Sequence, residues 1–318
     1  MVDPGPNNVA PDVTGAIPPQ TLGAGRDVTV ELSQYFSDPG GDALTYHANS
    51  SDPVVAGVTV SLSQLTVVAI SPGVGQVTVT ARDGLGGEAR QTFDVVVCVP
   101  IPDDALHWWT ADGTGADRIG EANATLMNGA SYVPGLVTSN NGQAFSFDGV
   151  DAIGLVPDVP TLNPTGPFSV MAWARPGPHP TPNGAVIGKG HPWSESWVLD
   201  THRNRWRAVI RSSGGSSVSV YGSTIESGAW SHVAMRWDGR ILALYVDGQL
   251  DGAAPINTIH VNDGPVGIGA RSESGFQDHE LDLEFAGEVD EVMFFGRALG
   301  EEEIRAVFAT STSGVCGG

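Results

Sequence analysis

The feature that most constrains the fold of this chain is a pattern of runs and breaks. Short stretches alternate apolar with polar residues, and each is cut off by Asp-Gly, Pro or Gly. Three segments carry it most clearly. They are NGQAFSFDGVDAIGLVPDVPTLNPTGPFSVMAWARP (Asn141–Pro176), WSHVAMRWDGRILALYVDGQL (Trp230–Leu250) and FAGEVDEVMFFGRALGEEEI (Phe285–Ile304). A period of two sends successive side chains to opposite faces of a strand, and Asp-Gly between two such runs is a hairpin turn. The chain therefore reads as antiparallel strands joined by tight turns. With 42 Gly, 22 Pro and few helical patterns, an all-β protein follows. One short helix is expected near Gly300–Phe308, where three glutamates occupy the first turn and favour the helix dipole, with Gly300 at the cap.

The length of 318 residues predicts two domains, each able to bury a core. Residues 1–9 read as a linker and residues 10–97 as the first domain. Residues 98–104 (CVPIPDD) form a Pro-stiffened joint, and residues 105–318 the second domain. In the first domain Thr and Val alternate over Asp27–Leu32, Ala43–Ala48, Gly57–Leu62, Gln64–Ile70, Gln76–Asp83 and Arg90–Val97, which predicts a Greek-key sandwich. Together with IPPQTLGAG and SDPGGDALTYHANSSDPVV, this segment resembles the cadherin-like or Ig-like repeats of bacterial surface proteins. Where those repeats often carry Asp-Pro-Asp-Gly-Asp, this chain has Asp38-Pro39-Gly40-Gly41-Asp42, one carboxylate short. Asp38, Asp42 and Asp83 either gather at one end of the sandwich or cap turns.

The three segments of the second domain, in their order and spacing, resemble the laminin-G-like, concanavalin-A-like domain of secreted bacterial proteins. That resemblance implies a jelly-roll sandwich and a mostly non-catalytic role in holding ligands, often sugars and sometimes with calcium. The fold expected is thus an Ig/cadherin-like sandwich followed by a concanavalin-A-like one. Trp108–Gly135 is similar to the family's opening, an Asp-containing loop ahead of a strand. Calcium takes six to eight oxygen ligands. Asp117, the Gly120 carbonyl and Asn123 would supply several from one loop, and by resemblance Asp290 would close a structural site from the last strand. The alternative is a set of solvated loop aspartates.

Net charge is −21, from 36 acidic and 15 basic residues, which repels phosphate backbones and anionic membranes. No stretch of 18 apolar residues is present to cross a membrane. Met1 leads directly into DPGPNNVAP without the basic and apolar regions of a signal peptide, so the chain reads as a piece of a longer exported protein. The only two cysteines, Cys98 and Cys316, bracket the second domain. Because domain termini often lie close together, they read either as a disulfide formed in an oxidising compartment or as two free thiols.

Of the eight tryptophans, Trp109, Trp173 and Trp230 are expected in cores. Trp193, Trp197 and Trp206 fall instead in GKGHPWSESWVLDTHRNRWRAVIR, a segment dense in cations for so acidic a chain. Aromatic faces stack on sugar rings, and Arg binds carboxylates. Trp193, Trp197, His202, Arg203, Arg205 and Arg207 are accordingly the candidate ligand-binding residues, for a glycan or a carboxylated ligand. In the competing reading Trp197 and Trp206 belong to the core and the arginines pair with nearby acids.

An enzymatic reading rests on Glu280, Asp282 and Glu284, which alternate and would share one strand face. The run resembles the catalytic signature of laminarinase-type retaining glycosidases, with Glu280 as nucleophile and Glu284 as acid/base. Its position so near the end of the domain argues against it. The expected function is a non-enzymatic extracellular or cell-surface module that binds a glycan or protein, with the first domain as spacer. The alternative is a carbohydrate-binding appendage of a secreted hydrolase.

Overall fold

The computed structural model describes residues 8–100, 104–136, 142–178, 182–190, 194–272, 281–309 and 315–316. The chain divides into two units, Met1–Ile101 with Thr312–Gly318, and Pro102–Ser311. The strands of three or more residues in the first unit are β1 (Gln20–Gly23), β2 (Asp27–Glu31), β3 (Thr45–Ser50), β4 (Ala56–Ser61), β5 (Gln64–Ala69), β6 (Gly73–Arg82) and β7 (Glu88–Pro100). They form one sheet in the order β1–β7–β6–β3 and another in the order β2–β5–β4. Leu32, Leu65, Val67, Val77, Val79, Phe93 and Val95 make the core. They are the inward positions of the Thr/Val alternation, whose outward positions are polar.

One detail differs from expectation, and one open alternative is decided. The two-residue strand Val315–Cys316 pairs with β7, Val315 opposite Val99, so the chain's last strand belongs to the first unit and not to residues 105–318. Asp38 and Asp83 cap turns. Asp38 accepts from the N–H of Asp42, and Asp83 accepts from the N–H groups of Leu85 and Gly87 and from Asn8.

The second unit contains β8 (Ala105–Trp109), β9 (Thr125–Met127), β10 (Ser131–Pro134), β11 (Gln143–Asp148), β12 (Ile153–Val156), β13 (Phe168–Pro176), β14 (Asn183–Lys189), β15 (Trp197–His202), β16 (Arg205–Arg211) and β17 (Ser217–Thr224). It continues with β18 (Ser231–Trp237), β19 (Ile241–Val246), β20 (Gln249–Pro255), β21 (Val266–Ile268), β22 (Ala286–Phe295) and helix α1 (Glu301–Phe308). An eight-stranded sheet runs β10–β11–β22–β13–β18–β19–β20, with β8 also pairing β22. A seven-stranded sheet runs β9–β12–β21–β14–β15–β16–β17. The core includes Trp109, Phe145, Phe168, Trp197, Trp206, Trp237 and Phe294. Tight hairpins set the register. The Asp247-Gly248 loop between β19 and β20 has positive φ at both residues, the geometry that matches strand twist.

Helix α1 forms where expected, its Gly300 N–H bonded to the Glu303 carboxylate at 2.7 Å. Phe308 stacks on Trp173 at 5.7 Å, and Trp173 meets His232 at 5.2 Å. Trp109 and Trp173 are buried. Trp230 is only partly so, with the Arg175 guanidinium 5.0 Å above its ring.

Candidate functional site

The loop expected to hold calcium is a self-satisfied turn. Asp117 is buried, and its Oδ1 accepts the N–H groups of Trp108, Ile119 and Gly120 at 3.0 to 3.2 Å. Its Oδ2 takes the Ala122 N–H at 3.2 Å and lies 2.6 Å from His107 Nδ1. Asn123 Oδ1 accepts the N–H of Asp117 itself. Burial pushes the Asp117 carboxyl up, but the bonds from His107 and the backbone outweigh it and hold its pKa below the usual value. Gly120 is required because a Cβ there would stand 2.5 Å from Asp117 Oδ2. Donors directed at both oxygens leave no place for a cation, so Asp117, Gly120 and Asn123 do not fit calcium.

Asp290 is buried on β22. It accepts the Leu136 N–H at 3.0 Å and sits beside Glu291, which receives the Trp108 indole N–H at 2.5 Å. Burial pushes the Asp290 pKa up to about 7, against the Leu136 bond and with the Asp112 charge adding to it. Glu291 is raised for the same reason, with Asp290 next among the causes. Among the described residues no group of three or more His, Cys, Asp or Glu is arranged to hold a metal ion.

The arginine-rich segment forms strands β15 and β16, joined by the two-residue turn Arg203-Asn204 with φ of 49° and 63°. Alternation decides each side chain. Trp197 and Trp206 point into the core at 0% and 1% exposure, so neither can stack on a ligand. The competing reading was right for them. Asp200, His202, Arg207 and Arg211 occupy the opposite, outward face.

Arg207 grips the buried Asp200 through Nε (2.8 Å) and Nη2 (2.5 Å), a bidentate pair that fixes the guanidinium plane. Arg203 is exposed at the hairpin tip, and Arg205 donates to the Gly222 carbonyl at 2.7 Å. Trp193 and Glu280 lie outside the described residues. Glu284 is half-buried in the segment between β21 and β22.

The residue missing from the sequence reading is Tyr221 on the edge strand β17. It is 41% exposed, directly opposite Arg207 in register, with His202 5.8 Å from its ring and the Arg207 guanidinium 6.0 Å above it. Period two in SVSVYGST, where Val218 and Val220 pack toward the core, would have placed Tyr221 outward. Burial, then the charges of Arg207 and Arg203, push the His202 pKa down.

Two multi-stranded antiparallel sheets around one aromatic core define a concanavalin A-like sandwich. The chain belongs to the concanavalin A-like lectin/glucanases superfamily, whose laminin-G-type model matches residues 147–305. Among solved structures, the binding domain of Paraclostridial Mosquitocidal Protein 1 is 14% identical with a TM-score of 0.51, covering 65% of this chain and 52% of that one. The botulinum neurotoxin serotype D binding domain is 14% identical with a TM-score of 0.50, covering 66% and 52%. The chain thus spans about half the length of these toxin binding domains, and the likeness is one of fold. No curated protein matches the sequence.

Proposed function

We propose that this chain is an extracellular recognition module that binds a glycan on the outward face of the seven-stranded sheet. The first unit, of cadherin-like or Ig-like kind, serves as spacer. The observation that carries the reading is the exposed ring of Tyr221, set between His202 and an Arg207 already fixed by Asp200. An aromatic face offers stacking area to a sugar ring, and a guanidinium held in one plane donates to hydroxyls or carboxylates without paying to be ordered. Nothing in this arrangement requires bond breaking, and the module is proposed as non-enzymatic. On a glycan array, Tyr221→Ala is expected to weaken every hit of the wild type about tenfold or more, a loss of about 1.4 kcal/mol. Hits that survive the substitution unchanged would place the ligand elsewhere.

Export is part of the proposal, with a Cys98–Cys316 disulfide. In support, no described cysteine is free, and Cys316 lies opposite Pro100, two residues from Cys98. Thiol titration of the denatured protein is expected to find none before reduction and both cysteines after it. No described helix is long and apolar enough to cross a membrane. Calcium stays in the proposal only at Asp290. A divalent ion there would offset the cost of burying charge beside Glu291 and Asp112. Millimolar calcium should then raise the melting temperature of the wild type but not of Asp290→Asn, and equal melting in calcium and EDTA would remove calcium from the reading.

A further inference from the structure

We propose that Lys189 forms an intramolecular amide cross-link with Asn163, with Asp158 carrying the proton between them. None of these residues belongs to the Tyr221 site, and the bond forms without a ligand.

Lys189 is the only lysine in the chain, every other basic side chain counted in its charge being arginine. It is the last residue of β14, opposite Trp197 on β15 and Val266 on β21, and its side chain is fully buried. Lysine is almost never closed off so completely unless it is paired. An ion pair alone would be better served by arginine, whose fork meets a carboxylate with two bonds, as Arg207 does with Asp200. What lysine alone provides is a primary amine, a nucleophile once it has lost its proton. Burial pulls the Lys189 pKa below the usual value, against the bond to Asp158.

The amine and the amide converge on one oxygen. Lys189 Nζ donates to Asp158 Oδ1 at 2.6 Å, and Asn163 Nδ2 donates to the same oxygen at 2.9 Å. Both are within the reach that proton transfer requires. A second bond from Nζ, to the Gly264 carbonyl at 2.7 Å, holds the amine in place. Asp158 and Asn163 stand on either side of the short 3-10 turn Pro160–Leu162, in the loop between β12 and β13. Asn163 Oδ1 is closed to solvent and accepts no hydrogen bond, so attack at this amide breaks no contact of its carbonyl. The Asp158 side chain is 31% exposed, which leaves a way out for the leaving group.

Asp158 takes one proton from the Lys189 ammonium, and the amine so formed attacks Asn163 Cγ. Asp158 hands that proton to Nδ2, the bond from Cγ to Nδ2 breaks, and a second proton shed by Nζ leaves with the nitrogen as ammonium. One C–N bond forms and one breaks, nothing is oxidised or reduced, and Asp158 ends as it began. The product ties the loop between β12 and β13 to the end of β14 by a bond that no reductant opens.

The test is mass spectrometry of the intact, reduced chain and of its tryptic peptides. The wild type is expected to be lighter than its sequence by one ammonia. Trypsin cuts neither after an acylated lysine nor at Arg175-Pro176, so residues 119–203 should appear as a single peptide with the same deficit. Lys189→Arg, which keeps the cation, and Asp158→Asn, which removes the proton carrier, should both show full mass. Full mass in the wild type, with cleavage after Lys189, would overturn the inference. So would a deficit of one water, which would put the link on Asp158 itself. A deficit of one ammonia that persists in Lys189→Arg would overturn it as well, because it would come from ring closure at another asparagine.

Discussion

Asp117→Ala is expected to destabilise the second unit by about 3–5 kcal/mol, the usual cost of breaking a buried charged pair. Four backbone N–H groups and His107 lose one acceptor at once, in a place where water cannot replace it. His107 also stacks on Trp109 at 5.5 Å and meets Thr161 at 2.8 Å, so the damage reaches the core. Urea unfolding followed by tryptophan fluorescence measures it, and the solvent condition makes it diagnostic. An N–H-saturated carboxylate gives the same loss in EDTA as in calcium. A loss present only in calcium would restore Asp117 as a metal ligand. Asp117→Asn should recover part of the stability, since the amide oxygen still accepts on one side.

Why this loop misled the sequence reading is instructive. A carboxylate among Gly, Asn and Ala in a loop offers oxygen, and both a cation and a ring of backbone N–H groups take oxygen. What decides between them is His107, ten residues earlier on β8, together with the close approach of Gly120. Neither leaves a mark in the composition of the loop. The strands were far more legible. The expected Gln64–Ile70 is observed as Gln64–Ala69 and Gly57–Leu62 as Ala56–Ser61, because alternation in a half-buried sheet is written directly into the residue order.

The same alternation held the answer for the arginine-rich segment. Trp197 shares its parity with Leu199, and Trp206 with Ala208 and Ile210, all of them core residues. The density of aromatic and cationic residues suggested one cluster, whereas the pleat sorts them to opposite faces. Tyr221 escaped notice for the converse reason. It stands alone in a Ser- and Gly-rich strand, and only strand pairing sets it against Arg207. The return of Val315–Cys316 to β7 is a long-range pairing of two residues, too short to carry any local pattern.

Two buried groups on one rung of the eight-stranded sheet should give stability slopes of opposite sign. Trp173 stands in register with His232 on one side and Asp290 on the other. His232 has neither ring nitrogen hydrogen-bonded, and burial lowers its pKa from 6.5 to about 3. Between those values the unfolded chain holds the extra proton, so His232 removes stability as pH falls below 6.5. Asp290 is raised from 3.8 to about 7. Between those values the folded chain holds the extra proton, so this contribution is present at low pH and is lost as pH rises through 7. Each slope is about 1.4 kcal/mol per pH unit, and they cancel where the two windows overlap, between about pH 4 and 6.5. Measured in EDTA as the difference from wild type, His232→Leu is expected to gain stability as pH falls across that range. Asp290→Asn should gain it as pH rises, and the double variant should show a flat difference. Two flat single-variant profiles would mean that burial does not shift these two groups in the folded chain.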